Sequence, residues 1–353
     1  MAVFKPSKLR AYLLHAQEFG FSPEALLDGG GIAWSAIEGL EPLDLDTTAD
    51  LFELVARRTP ADFAVRCGSL SKVRDFGIVG YAMMSMPTLR AAFAHWNRYC
   101  LVAGHPLVTT ISEDGEVWRM HFAPRRLMSR EAERFCVEAS VAAMSPIIEE
   151  LTNLPATSVS IAFSFPRPTS LTQYHSLGTK ALEFGAPQTI YCGARADLNR
   201  PISAADTQVR DIFQRQCAEF LADLTQTRSL SERLEDLMEA SAGSLPSLDG
   251  LAAALGLSRR SLQRELRTEG VSYQQIVRDY RVKHAKLLLS EGRANAKTIA
   301  HMLGFQDTGS FRRAFHEWTG QSITTFQSHG TPDAARPRPH PFGHAAEMSV
   351  HAA

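Results

Sequence analysis

The side chains in this sequence with the clearest capacity for recognition chemistry are arginines and a glutamine at helical spacing. Arg260, Gln263, Arg264 and Arg267 stand at i, i+3, i+4 and i+7, one stripe of a helix whose other face carries Leu262 and Leu266. A second stripe, Thr308, Gly309, Arg312 and Arg313 with Ser310 at its edge, stands opposite Phe311 and Phe315. The major groove of B-DNA admits one α-helix, the Arg fork matches guanine O6 and N7, and Gln pairs bidentately with adenine. These residue types are therefore those that a base-reading face needs. Arg259 and Lys283 are expected to hold phosphates, and Arg281 either does so or anchors its own core.

A lone arginine stripe is as common on an ordinary solvated helix. What distinguishes these two is that the elements positioning them are written twice. The first copy runs from Leu251 to Leu266 and the second from Ile299 to Phe315, and aligning Gly256 on Gly304 sets apolar residues on apolar ones. Each copy predicts a short helix, a turn at a glycine that tolerates positive φ, and a second helix buried through Leu262/Leu266 or Phe311/Phe315. The second copy has one extra residue in its turn. Between the copies, Gln274 to Ser290 has neither Gly nor Pro and predicts one long helix. Adjacent major grooves on one face of DNA lie about 34 Å apart, so one chain is expected to span two of them.

These residues resemble the AraC/XylS transcription regulators. The second-motif signature of that family is similar to Ile299-Ala-x-x-Leu303-Gly304-Phe305-x-Asp307-x-x-x-Phe311-x-Arg313-x-Phe315-x-x-x-x-Gly320-x-Ser322, and Arg281-Val282-x-x-Ala285-x-x-Leu288-Leu289 looks like its connecting helix. Two positions depart from it: Ile323 stands where the family usually has Pro, and Gln327 follows Phe326 where an aromatic-Arg pair is usual. The segment Phe76 to Arg90, with Gly80, Met83, Met84 and Met86, resembles the arabinose-binding-type N-terminal domain of the branch of ornithine-utilisation-like regulators. The resemblance implies an effector-responsive domain that also dimerises, with double-stranded DNA and RNA polymerase as partners. It implies a regulator of transcription, an activator by expectation, without naming the effector.

Charge distribution agrees with such a division. Arg259 to Arg313 holds 12 Lys/Arg against 5 Asp/Glu, while the remainder holds 25 against 33, so a basic module is joined to a mildly acidic one and the net charge is −1. Competing chemistries lack their motifs. There is no G-x-S-x-G, H-E-x-x-H, Walker A or G-x-G-x-x-G, and Gly29-Gly30-Gly31 has no preceding strand and no following Lys-Ser/Thr. DNA-alkyl repair proteins with a similar reading module carry clustered zinc cysteines, whereas Cys67, Cys100, Cys136, Cys192 and Cys217 stand far apart. No catalytic residue, metal site or cofactor is expected; a DNA-directed enzyme and an architectural DNA binder without effector are the alternative classes. No apolar run approaches the roughly 18 residues of a membrane span, and the expected address is cytoplasmic.

The expected fold is an α+β N-terminal effector domain followed by an all-α C-terminal domain with two helix-turn-helix motifs joined by a long helix. Helices are predicted at Leu9–Ala16, Thr47–Arg58, Thr88–Val102 and Arg130–Leu151. Strands are predicted at Phe63–Cys67, Leu107–Ile111, Val117–Phe122, Val159–Phe163 and Thr189–Cys192, the second and third joined by a hairpin at Glu113-Asp114-Gly115-Glu116. Arg66, Tyr81, Trp96, Arg98, Tyr99 and His105 are the polar and aromatic candidates for effector contact. Pro201 to Thr227 has helical periodicity, Ser229-x-x-Glu232 reads as a capping box, and the Pro-, Ala- and His-rich stretch from Gly330 onward is expected to be disordered. The expected domains are 1–200 for effector binding and dimerisation, 201–228 as a linker helix, 229–329 for DNA binding and 330–353 as the tail.

Overall fold

A computed structural model describes residues 3–226, 229–241 and 245–330. The tail from 331 onward, including His340 and His344, lies outside the described residues. The chain divides into two compact units, residues 1–284 and 285–353.

The first unit opens with β1 (Val3–Phe4), α1 (Ser7–Glu18), α2 (Pro23–Leu27), α3 (Trp34–Glu38) and β2 (Leu43–Asp44), with β1 and β2 paired antiparallel. The triple glycine lies in the loop between α2 and α3, as its sequence context predicts. Asp44 caps α4 (Leu45–Arg58), its Oδ1 accepting from the Thr47 N–H at 2.7 Å, and the helix buries Leu51, Phe52 and Val55. Next comes α5 (Phe63–Ser69), which corrects the strand expected at Phe63–Cys67. A short run buried almost all round has no period to separate strand from helix, and packing decides. Two further helices follow, α6 (Ile78–Met84) and α7 (Leu89–Tyr99), the latter capped by Thr88 and ending three residues before the predicted limit.

Leu107–Asp114 forms β3 and Val117–Pro124 forms β4, a hairpin that turns at Gly115 with φ of 57°. The long α8 (Arg130–Thr152) precedes β5 (Ser160–Phe163), β6 (Ala181–Phe184) and β7 (Thr189–Ala194). The five strands form one sheet in the order β3-β4-β7-β5-β6, antiparallel throughout except for the parallel pair β5-β6. Sequence periodicity misses β6, whose four residues sit at the sheet edge and are all at least partly exposed. One core of Phe52, Phe63, Phe93, Trp118, Phe163 and Tyr191 ties sheet and helices together. The helix expected from Pro201 begins later, as α9 (Thr207–Gln226), because Pro201 forms an isolated bridge to Thr88.

A separate apolar cluster follows, built by α10 (Leu230–Ala240), α11 (Leu248–Ala254), α12 (Arg259–Thr268) and α13 (Tyr273–Ser290). The expected capping box is present, with Ser229 Oγ accepting from the Glu232 N–H at 3.2 Å and Glu232 Oε2 from the Ser229 N–H at 2.9 Å. Leu234, Met238, Leu251, Leu262, Leu266 and Ile276 fill this second core.

The division between units falls inside α13. The second unit continues with α14 (Ala296–Met302), α15 (Thr308–Thr319) and α16 (Ile323–Gly330), and buries Ile299, Leu303, Phe311, Phe315 and Ile323. Ile323, one departure from the family pattern, occupies the first position of α16 and is buried, while Ser322 Oγ accepts from the Thr325 N–H at 3.1 Å. Proline suits that position because its missing N–H is one the helix leaves unpaired anyway, and here Ile with a serine cap starts the helix instead.

Gly68 shows how closely this core is built. A methyl group there would collide with the Ala139 carbonyl oxygen and come within 2.7 Å of Ala142 Cβ, both on α8. Gly68→Ala should therefore force α5 away from α8 and cost about 1–3 kcal/mol in urea unfolding; a change below about 0.5 kcal/mol would mean the two helices are not packed so closely.

Candidate nucleic-acid interface and a buried cavity

Both motif copies close their turns with the same backbone hydrogen bonds. Gly256 donates to the Ala253 carbonyl at 3.0 Å and Leu257 to that of Ala252 at 2.9 Å; Gly304 donates to His301 at 3.0 Å and Phe305 to Ala300 at 2.9 Å. Gly256 and Gly304 take φ of 69° and 73°, left-handed values that an L side chain rarely adopts. The turn then releases the chain into α12 or α15, each begun by a side-chain cap. Ser258 Oγ accepts from the Ser261 N–H at 3.1 Å, and Asp307 Oδ1 from the Ser310 N–H at 2.8 Å.

Leu262 and Leu266 are buried on α12, and Arg260, Arg264 and Arg267 on its other side are exposed, with Gln263 half-buried at the margin. On α15, Phe311 and Phe315 are buried, Arg312 and Arg313 exposed, and Thr308, Gly309 and Ser310 half-buried. Arg312 and Arg313 line an open groove with His316, Ser322 and Thr324. Ser310 serves the cap as well as the face: its Oγ donates to Asp307 Oδ2 at 2.7 Å and accepts from Arg313 Nη2 at 3.1 Å. Those serine hydrogen bonds hold the Asp307 carboxyl below its ordinary range. Asp307, prominent in the sequence motif, is thus a cap that orients Arg313.

The expected phosphate contacts differ among themselves. Arg259 is exposed and lies 3.5 Å from Asp249. Lys283 Nζ donates to Asp46 Oδ1 at 3.0 Å. Arg281 is half-buried, and burial lowers its pKa. Near Lys283, Arg126 is almost wholly buried among three carboxylates, Asp236 at 3.2 Å, Glu235 at 3.5 Å and Asp46 at 3.6 Å. Desolvation pushes the Glu235 carboxyl up while Arg126 opposes it. Sequence reading finds neither Arg126 nor Asp46, since nothing local marks a contact between residues so distant along the chain.

Within residues 3–224 there is also a cavity of about 30 Å3 lined by buried residues, room for one or two waters. Its walls are mostly apolar, among them Phe76, Phe93, Met120 and Met144. Into it come Lys8, Ser140, Trp96 and His105. Of the six expected effector contacts it brings together Trp96 and His105. Tyr99 is buried outside the lining against His95, and Arg66, Tyr81 and Arg98 are exposed. Burial pushes the His105 imidazole down to about 3, and its ring nitrogens meet the Leu107 carbonyl oxygen and Ser140 Oγ, each at 3.1 Å. Lys8 has a weak sequence signal: it shares a helical stripe with Tyr12 and Ala16, which are both buried.

Four of the five thiols are buried and Cys192 half-buried, none in a disulfide; burial raises Cys67 to about 12 and Cys217 to about 11. Among the described residues no group of three or more His, Cys, Asp or Glu is placed to hold a metal ion, and no helix is long and apolar enough to cross a membrane.

Comparison with known proteins bears on both regions. Residues 20–202 match the model described as the arabinose-binding domain of AraC transcription regulator, N-term, and residues 251–329 match a helix-turn-helix domain. The chain is 28% identical over 309 residues to the ornithine utilization regulator of Pseudomonas aeruginosa, covering 86% of this chain and 90% of that one. It is 33% identical over 133 residues to the HTH-type transcriptional regulator VqsM of the same organism, covering 37% and 41%. Among solved structures, the transcriptional regulator CdpR from Pseudomonas aeruginosa aligns at 20% identity over 79% of this chain and 90% of that one, with a TM-score of 0.41.

The Asp46–Lys283 pair generates a prediction, because a lysine occupied by a carboxylate is less available to a phosphate. Both groups are about half exposed, so the pair is worth at most about 1 kcal/mol. Asp46→Asn should therefore tighten binding to duplex DNA by up to about fivefold in a fluorescence titration, and unchanged or weaker binding would exclude competition between Asp46 and phosphate.

Proposed function

The chain belongs to the AraC/XylS family of transcription regulators, and from that membership we propose that it reads specific DNA sequences through α12 and α15 and activates transcription in response to a small organic effector. The observation that carries this reading is the repetition of one turn geometry with arginines left exposed on the second helix each time. In the proposed arrangement Arg260, Gln263, Arg264 and Arg267 face one major groove, and Thr308, Gly309, Ser310, Arg312 and Arg313 face the next. Arg259 and Lys283 hold phosphates, and Arg281 holds a phosphate or anchors the module's own core. The proposed domains are 1–200 for the effector, 201–228 as linker, and 229–329 for DNA.

Effector binding changes DNA engagement only if the ligand has unequal affinity for two conformations of the protein. The joint of Arg126 with Asp46, Glu235 and Asp236, together with the Asp46–Lys283 pair, supports such coupling, since it ties residues near α4 and α8 to α10 and α13. We propose that the protein works as a homodimer in the cytoplasm, contacts RNA polymerase and catalyses no reaction. Val209, Ile212 and Phe220, exposed apolar residues along α9, support the dimer.

The test is binding to a site selected from random duplex DNA. Gln263→Ala and Arg264→Ala should each cost roughly 1–3 kcal/mol on the selected site and little on random DNA. Affinity should also fall roughly a thousandfold or more between 50 and 200 mM salt. Equal losses on both DNAs would exclude base reading by α12, and a flat salt dependence would exclude a phosphate-dominated interface.

A further inference from the structure

Lys8 is a cation in a place where a cation is costly. It is 1% exposed, on α1, and its Nζ meets one hydrogen-bond partner, Ser71 Oγ at 3.2 Å. Among the described residues no carboxylate lies within 4 Å of it, and the rings of Tyr12 and Phe76 stand with their centroids 4.5 Å away. Aromatic faces attract an ammonium but accept little of its hydrogen-bonding capacity; it has three donors and Ser71 takes one. The Tyr12 hydroxyl is buried as well, with no partner at normal hydrogen-bond geometry among the described residues and the Ser140 side chain as its weak neighbour. Proteins rarely leave such groups unanswered, and an unanswered one asks for an explanation such as an absent ligand.

We propose that the Lys8 cavity is the effector site and that its ligand is a small monocarboxylic acid with an apolar body. The inference rests on the effector-binding reading of the N-terminal domain and deepens it. One carboxylate supplies acceptor oxygens to the Lys8 ammonium, and its organic part lies against Phe76, Phe93, Trp96 and Phe122. The same lining excludes other classes. It holds no carboxylate to pair the ammonium of an amino acid or a polyamine, and too few polar groups to satisfy the many hydroxyls of a sugar. A second negative charge on the ligand would find no second cation in the lining. The cavity is smaller than such a ligand, since a benzene-sized occupant needs about 150 Å3. Met83, Met120 and Met144, unbranched and adaptable, line the walls and are the groups that move aside. Desolvation, opposed by the charge of Asp75, pulls the Lys8 pKa down to about 7, so the ammonium is only partly populated until an anion arrives.

The test is thermal shift and calorimetry on the full-length protein with hexanoate and phenylacetate, their neutral amides hexanamide and phenylacetamide, and L-leucine and L-arabinose as controls. At least one acid is expected to raise the melting temperature and to bind at least tenfold tighter than its own amide. Lys8→Met, which keeps the side chain's length and removes its charge, should melt no lower than the wild type without ligand and lose the acid's effect. Acid and amide binding equally, acid binding unchanged in Lys8→Met, or no shift with either acid at 10 mM would each overturn the proposal. If L-leucine or L-arabinose binds and the acids do not, this inference fails while the effector-binding reading stands. Should Lys8→Met not fold, the acid-to-amide ratio in the wild type decides alone.

Discussion

Helices of ten and twelve residues cannot hold themselves together in water, so the arginine faces of α12 and α15 depend on the burial of Leu262 and Leu266, and of Phe311 and Phe315, beneath them. That burial determines which way the arginines face. It also requires the preceding helix to lie across the same apolar side, and only a residue able to take positive φ turns the chain sharply enough, at Gly256 and at Gly304. The aromatic contacts of the second copy, Phe305 with Phe311 and Trp318, and Phe315 with Phe326, perform with rings what leucines perform in the first. One constraint on packing therefore produces two arginine-bearing faces from sequences that share few residues.

The N-terminal region obeys a different constraint. Its five-stranded sheet and the helices beside it bury one continuous core, and the carboxylates buried in it are held by partners. Glu138, buried on α8, is held by Arg134 at 2.8 Å and by the Tyr174 hydroxyl, and Asp197 by Thr157 and Arg200. Lys8 breaks this pattern, its amine meeting one hydroxyl and two aromatic rings in an apolar cavity. The contrast within one core makes Lys8 informative, since the same fold satisfies its other buried charges.

Charge is sorted along the chain to match. The basic segment from Arg259 to Arg313 leaves the remainder acidic, and two of those acids, Asp46 and Asp249, lie beside the cations expected at phosphates. Exposed ion pairs of this kind are weak and screened by salt. Arg126 differs, since it is buried with three carboxylates around it and belongs to the fold as much as to any switch.

The duplicated motif, the turn glycines, the hairpin at Gly115 and the capping box at Ser229 were legible in the sequence because each is set by residues within a few positions of one another. The helical stripes were legible for the same reason, as burial repeats with the period of the helix. Tertiary structure alone decided that Phe63–Ser69 is a helix, since its residues are buried nearly all round and Gly68 is shaped to Ala139 and Ala142, far away in sequence. It alone paired β5 with β6 in parallel, drew Trp96 and His105 to one cavity while leaving Arg66, Tyr81 and Arg98 outside, and brought Asp46 to Lys283 across more than two hundred residues. Local geometry is encoded by neighbours along the chain, whereas a cavity and its stranded charge are properties of surfaces that meet only when the chain has folded.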